Sequence, residues 1–276
     1  MTTTTDERLL AVFAHPDDEA FRCGGTLALL ARRGVRVWVL CATRGEAGVP
    51  GLATEQAGQV RERELRCSCR ALGIEPPLFL DHQDGTLAQV NEEQAVEQIA
   101  RVMRELRPQA LLTWPPDGVS GHPDHVAVSH WTAEAFQRAA DPAAYRSAER
   151  SRRSPEHEAE GLSPHAAAGL YHIVLPRSLA EALKMIHLHT VPDEAVTLAV
   201  DVSPVWEVKM AAIRCHRTQI GGSPILDAPE DKQRLFLGTE YFRLAMARPD
   251  PSAGSGRAPL IGPEGNFFER LEENDL

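Results

Sequence analysis

The chain has 276 residues, enough for one large domain or two small ones. Hydrophobic residues make up 43% and charged residues 25%, a globular share that excludes general disorder. The net charge of −10 argues against a broad surface for nucleic acid or anionic lipid, and no run reaches the roughly 18–20 apolar residues of a membrane span. The opening residues lack the layout of a secretion signal. The five cysteines include no CxxC pair, so reduced thiols in a cytoplasm are expected rather than a disulfide framework.

Short apolar runs at residues 8–14, 35–41, 78–80 and 110–114 lack strict polar alternation. They read as strands buried on both faces, as in a parallel sheet. Helical patterns lie between them at 26–33, closing at Gly34, at 55–72, closing at Gly73, and at 92–106, before Pro108. Pro123 suits the first turn of a helix through Val126, Trp131 and Ala135. Further strands are expected at 169–175 and 195–202, followed by a helix at 205–215. This alternation predicts a Rossmann-like, three-layer α/β fold with a mostly parallel sheet. Residues 1–248 read as one domain interrupted by a charged, Pro-broken loop or insertion at 141–168. Residues 249–265 read as a linker and 267–276 as a short terminal helix. The pair Gly24-Gly25 is expected near a helix start, because glycine costs a helix interior about 0.5–1 kcal/mol.

The first strand runs into Ala14-His15-Pro16-Asp17-Asp18-Glu19, and the fourth leads to Gly121-His122-Pro123-Asp124-His125. In the doubly wound order 3-2-1-4 these strand ends are neighbours at the switch point where ligands bind. A catalytic zinc site needs three N/O ligands and an open position. His15 and Asp18 can share one side of a turn, with His125 as the third ligand from across the crevice. Asp17 is then placed as a general base on water, and His122 as an acid or oxyanion partner oriented by Asp124. Either cluster alone could be ordinary helix-cap chemistry. Both together, at adjacent strand ends, point to a metal.

These motifs resemble the PIG-L/LmbE-like zinc-dependent deacetylases of N-acetylglucosamine-containing substrates. The resemblance continues through Gly24-Gly25-Thr26-Leu27-Ala28, Thr43-Arg44-Gly45-Glu46-Ala47-Gly48, Val60-Arg61-Glu62-Arg63-Glu64 before Leu72-Gly73, and the stretch from Lys209 to Gln219. It implies zinc, with another divalent ion such as ferrous iron as an alternative, held by His15, Asp18 and His125. It implies Asp17 as the base and His122, backed by Asp124, as its partner. Arg61 and Asp84 fall where relatives contact sugar hydroxyls; Arg61 also reads as part of an ion-paired helix surface. Ser120 and Gly121 stand where some relatives carry Tyr or Arg.

The expected activity is hydrolysis of an N-acetyl group on an N-acetylglucosamine-type sugar or glycoconjugate by a cytoplasmic protein, with a homo-oligomer left open. A catalytically silent metal- or carbohydrate-binding module of the same fold is the alternative. A dinucleotide-binding module is disfavoured, since strand 1 ends without GxGxxG. His187 and His189 lack a third ligand in sequence, and Cys23 reads as a small buried filler. Cys67 and Cys69, two apart on a helix, do not share a face. His216 reads as a core or surface residue before a role at the site.

Overall fold

The computed structural model describes residues 7–144 and 162–248. In chain order it comprises β1 (Arg8–Phe13), α1 (Asp18–Arg32), β2 (Arg36–Cys41), α2 (Thr54–Leu72), β3 (Leu78–Phe79), α3 (Glu92–Leu106), β4 (Ala110–Thr113) and α4 (Pro123–Ala140). There follow β5 (Gly169–Ile173), α5 (Arg177–Ala182), β6 (Leu198–Asp201), α6 (Trp206–Cys215), α7 (Arg217–Ile220), α8 (Glu230–Leu237) and β7 (Thr239–Ala247).

All seven strands lie in one sheet of order β3-β2-β1-β4-β5-β7-β6. Pairing is parallel from β3 through β5. It is antiparallel between β5 and β7 and between β7 and β6. The apolar character of β1 follows from its position: Leu9, Ala11 and Phe13 enter the core on one face, and Leu10 and Val12 enter the core on the other. Helices α1, α2 and α6 pack together, as do α3 and α4. Burial on both faces makes β1 costly to disturb; a Leu10→Ala change would lose about 2–5 kcal/mol.

The expected helix stops hold, with Gly34 at φ 84° and Gly73 at φ 75°. The start of α1 differs from expectation. The helix begins at Asp18, so Gly24 and Gly25 lie inside it. Close packing explains Gly25: a Cβ there would stand 2.4 Å from the Val202 Cβ. The strand β7 had no counterpart in the sequence reading, and it inserts between β5 and β6.

The expectation of unpaired thiols also fails, because Cys67 on α2 is bonded to Cys215 at the end of α6. The two cysteines are 148 residues apart, and only the packing of α2 on α6 brings them together. Cys23, Cys41 and Cys69 are free and buried. Residues 145–161 of the charged stretch, the linker and the terminal helix lie outside the described residues. Among the described residues, no helix is long and apolar enough to cross a membrane.

Candidate metal centre and active site

Because β1 and β4 pair directly, the turns that leave their carboxyl ends face one another. The first turn carries His15 to Glu19 into α1, and the second, 114–122, leads into α4. His15, Asp18 and His125 each offer one ligand atom, all within 4.8 Å of one another. The Nε2 of His125 is 3.3 Å from Asp18 Oδ1, and the Nδ1 of His15 is 3.9 Å from Asp18 Oδ2.

The surroundings fix these three side chains. Asp18 Oδ2 accepts the main-chain N–H of Ala14 and His15, each at 3.1 Å, and the Trp114 indole N–H at 3.2 Å. The Trp114 ring stacks on His125 with centroids 4.5 Å apart and planes at 5°. His125 Nδ1 is 3.2 Å from the Gly118 carbonyl, the contact of an N–H donor. Gly118 is required there, because a Cβ would meet the His125 Cβ at 2.8 Å. On His15 the Nε2 meets Asp84 Oδ1 at 3.1 Å and Asp124 Oδ2 at 3.2 Å.

This donor set fits a divalent cation. With Nδ1–H of His125 on a carbonyl and Nε2–H of His15 on carboxylates, each neutral imidazole turns a lone pair toward Asp18. Lone pairs facing a carboxylate need a positive charge between them, and histidine ligands are oriented in this way by carboxylates and carbonyls. The acid–base balance carries the same demand. Burial opposes protonation of His15, but the hydrogen bonds from Asp124 and Asp84 and the charge of Asp18 outweigh it and raise its pKa to about 10. Burial likewise opposes ionisation of Asp18, yet His125 and His15 hold it well below the carboxylate range. His15, His122 and Asp124 form a second group within the same 4.8 Å limit, sharing His15.

Asp17 lies beside this cluster. Burial, then the charge of Asp18, raises its pKa to about 7 against the pull of Arg61. Its side chain is still 24% exposed, so water reaches it. Arg61, buried on α2, donates to Asp17 Oδ2 at 3.1 Å, to the Gly45 carbonyl at 3.1 Å and to the Pro16 carbonyl. Its guanidinium therefore sits on the turn that carries Asp17, where sequence reading offered a sugar contact or a solvated face. Asp84 is similarly engaged, with Oδ2 accepting from Ala47 N–H at 2.9 Å.

His122 is exposed and its Nδ1 accepts the Asp124 main-chain N–H at 3.2 Å, capping α4. In a neutral ring the proton is then on Nε2. Burial and the charges of His15 and His125 keep its pKa below the ordinary value. The Asp124 carboxylate acts on His122 through its charge, which favours the imidazolium, and not through a hydrogen bond. Asp124 stands in the first turn of α4, and its oxygens go to His15, Gly85 N–H at 2.8 Å and Leu87 N–H at 3.1 Å. It steadies His122 through its amide and His15 through its carboxylate.

His187 and His189 lie in a non-strand segment, and His189 N–H donates to the Val119 carbonyl at 2.6 Å, fastening that segment to the site loop. Sequence reasoning missed Glu19, Ser68 and the role of His216. Glu19 and His216 meet at 2.7 Å although 197 residues apart. Glu19 carried a signal through its place in the motif and His216 through the 209–219 stretch, whereas Ser68 carried none.

Fold and site together define a doubly wound α/β protein with a buried His/Asp/His cluster at the switch point of its sheet. Residues 10–136 match the PIG-L family, described as GlcNAc-PI de-N-acetylase. A 1D-myo-inositol 2-acetamido-2-deoxy-alpha-D-glucopyranoside deacetylase of Thermomonospora curvata is 31% identical over 92% of this chain and 95% of its own. The chain belongs to the PIG-L family. Its fold is shared by the N,N'-diacetylchitobiose deacetylase of Pyrococcus horikoshii, with TM-score 0.68 and 20% identity over 90% of this chain and 88% of that one. It is shared too by GalB, a 4-carboxy-2-hydroxymuconate hydratase of Pseudomonas putida, with TM-score 0.62 and 20% identity over 88% and 98% of the two chains. The same scaffold thus carries more than one reaction, and the site must decide between them.

Proposed function

We propose that this protein is a zinc-dependent hydrolase that removes the acetyl group from the 2-acetamido nitrogen of an N-acetylglucosamine-type sugar joined to a polyol or second sugar. The observation that carries the reading is geometric: Asp17, a partly exposed carboxylate held by Arg61 at 3.1 Å, stands beside a His15/Asp18/His125 group whose ligand atoms lie within 4.8 Å of one another. The deacetylase names of the relatives supply the substrate class.

His15, Asp18 and His125 would hold the zinc, which supplies Lewis-acid polarisation of the amide carbonyl and lowers the pKa of water toward about 7. Asp17 takes the proton of the attacking water, and a positioned general base contributes roughly 10²–10⁴ in rate. Arg61 keeps one Asp17 oxygen in place, which limits the orientations the carboxylate samples. His122, neutral with the proton on Nε2, stabilises the developing oxyanion by hydrogen bonding, and the proton that Asp17 took from water passes to the departing amine. Asp84 and Asp124 hold the His15 ring from behind.

Acetate release from a panel of N-acetylglucosaminides, with and without a chelator, tests the reading. Activity on at least one glucosaminide, lost with the chelator and restored by zinc, is expected. Asp17→Asn is expected to keep its metal and to lose about 10²-fold or more in kcat. Full activity in the chelator, or a wild-type rate in Asp17→Asn, would contradict it.

A further inference from the structure

Asp17 has φ 108° and ψ −27°, a conformation that side-chain-bearing residues rarely adopt. Such strain persists only where neighbours impose it. Glycine would relieve it but would remove the carboxylate. Arg61 grips the turn from one side, through Pro16 and Asp17. From the other side Glu19 Oε2 accepts the Asp17 main-chain N–H at 3.0 Å.

Glu19 is fully buried and is itself held by two elements distant in sequence. Its Oε1 accepts from the Ser68 hydroxyl on α2 and lies 2.7 Å from His216 Nε2, just beyond α6. Ser68 and His216 are also fully buried. The favourable field at the start of α1 explains an acidic residue there, but not its complete burial between two outside donors. Nor is His216 simply core filling, since its Nδ1 is buried without a hydrogen-bond partner. The Cys67–Cys215 disulfide joins the two helices at the residues directly before Ser68 and His216.

We propose that Ser68 and His216 are positioning residues that act through Glu19 to hold Asp17 in its strained conformation and aim its carboxylate. The disulfide fixes the separation of the two donors. This inference rests on the proposed role of Asp17 as base, so its test includes a readout that needs no turnover.

Hydrogen exchange of the Asp17 amide is measured in the metal-loaded protein for wild type, Ser68→Ala, His216→Leu and His216→Gln. Exchange at Asp17 should rise at least about 10-fold in Ser68→Ala and His216→Leu, while the amides of β1 keep their protection. His216→Gln, which retains an N–H donor, should stay near wild type. In the same two impaired variants kcat should fall about 10- to 100-fold, with KM within about twofold and the metal content unchanged, as expected for a misplaced base. Wild-type exchange at Asp17 in both impaired variants would overturn the proposal. So would exchange rising equally in β1, or faster exchange at Asp17 with kcat unchanged. If the wild-type protein releases no acetate, the deacetylase reading fails, and the exchange comparison still decides whether the network holds Asp17.

Discussion

Helix α1 meets buried carboxylates at two levels, and the two are balanced differently. Near its middle, Glu240 from β7 lies 2.8 Å from Lys209 Nζ and accepts Gly25 and Thr26 N–H at 2.9 and 2.7 Å. Lys209 also donates to the Leu237 carbonyl, so charge and hydrogen bonds close within the protein. At the amino end, Asp17, Asp18, Asp84 and Asp124 gather around Arg61 and a set of histidines, and His15 is drawn toward the cationic form. A closed pair ties β7 to α1 and has nothing left to offer a ligand. A negative surplus at the switch point is what a bound cation would balance, as the proposed function requires.

The largest stability effect is expected at the closed cluster. Lys209→Met leaves Glu240 buried without its cation and should cost about 3–5 kcal/mol in denaturant unfolding. Adding Glu240→Leu should recover only part of this, because the Gly25 and Thr26 amides then lack their acceptor. Full recovery would show that these amides contribute little.

The open cluster should instead reveal itself through pH, in the metal-free protein. His15 has a folded pKa of about 10 against an ordinary 6.5, so its contribution is complete below 6.5 and is lost as pH rises through 10. Thermal unfolding of metal-free protein should therefore show Tm falling across that window, and His15→Gln should flatten the fall. An equal fall in both proteins would remove His15 as its source. The smallest effect belongs to an exposed pair: Glu230→Ala breaks a contact of 2.7 Å with Arg234 and should change stability by only about 0.3–0.5 kcal/mol.

Sequence made the parallel half of the sheet legible, because strands such as β1 and β4 are buried on both faces and read as unbroken apolar runs. The strand β7 was not legible. Its residues TEYFRLAMA mix charges with Leu, Ala and Met, which favour helices, and tertiary pairing with β5 and β6 overrides that preference. The meeting of His15, Asp18 and His125 was readable because these residues come in two compact strings at strand ends. The support behind it was not: Asp84 reaches His15 from a loop, and Ser68 and His216 reach Glu19 from two helices. The Cys67–Cys215 bond was hidden for the same reason. The glycine pair misled because a helix interior accepts glycine where another side chain, here Val202, leaves no room for a Cβ.

Metal analysis of protein dialysed against limiting zinc tests the shared cation most directly. The wild type should retain about one zinc per chain, the load of a single three-ligand site. His15→Ala and His125→Ala should each lose nearly all of it while staying folded. Wild-type zinc content in both variants would contradict the account, since neither imidazole could then be holding the ion.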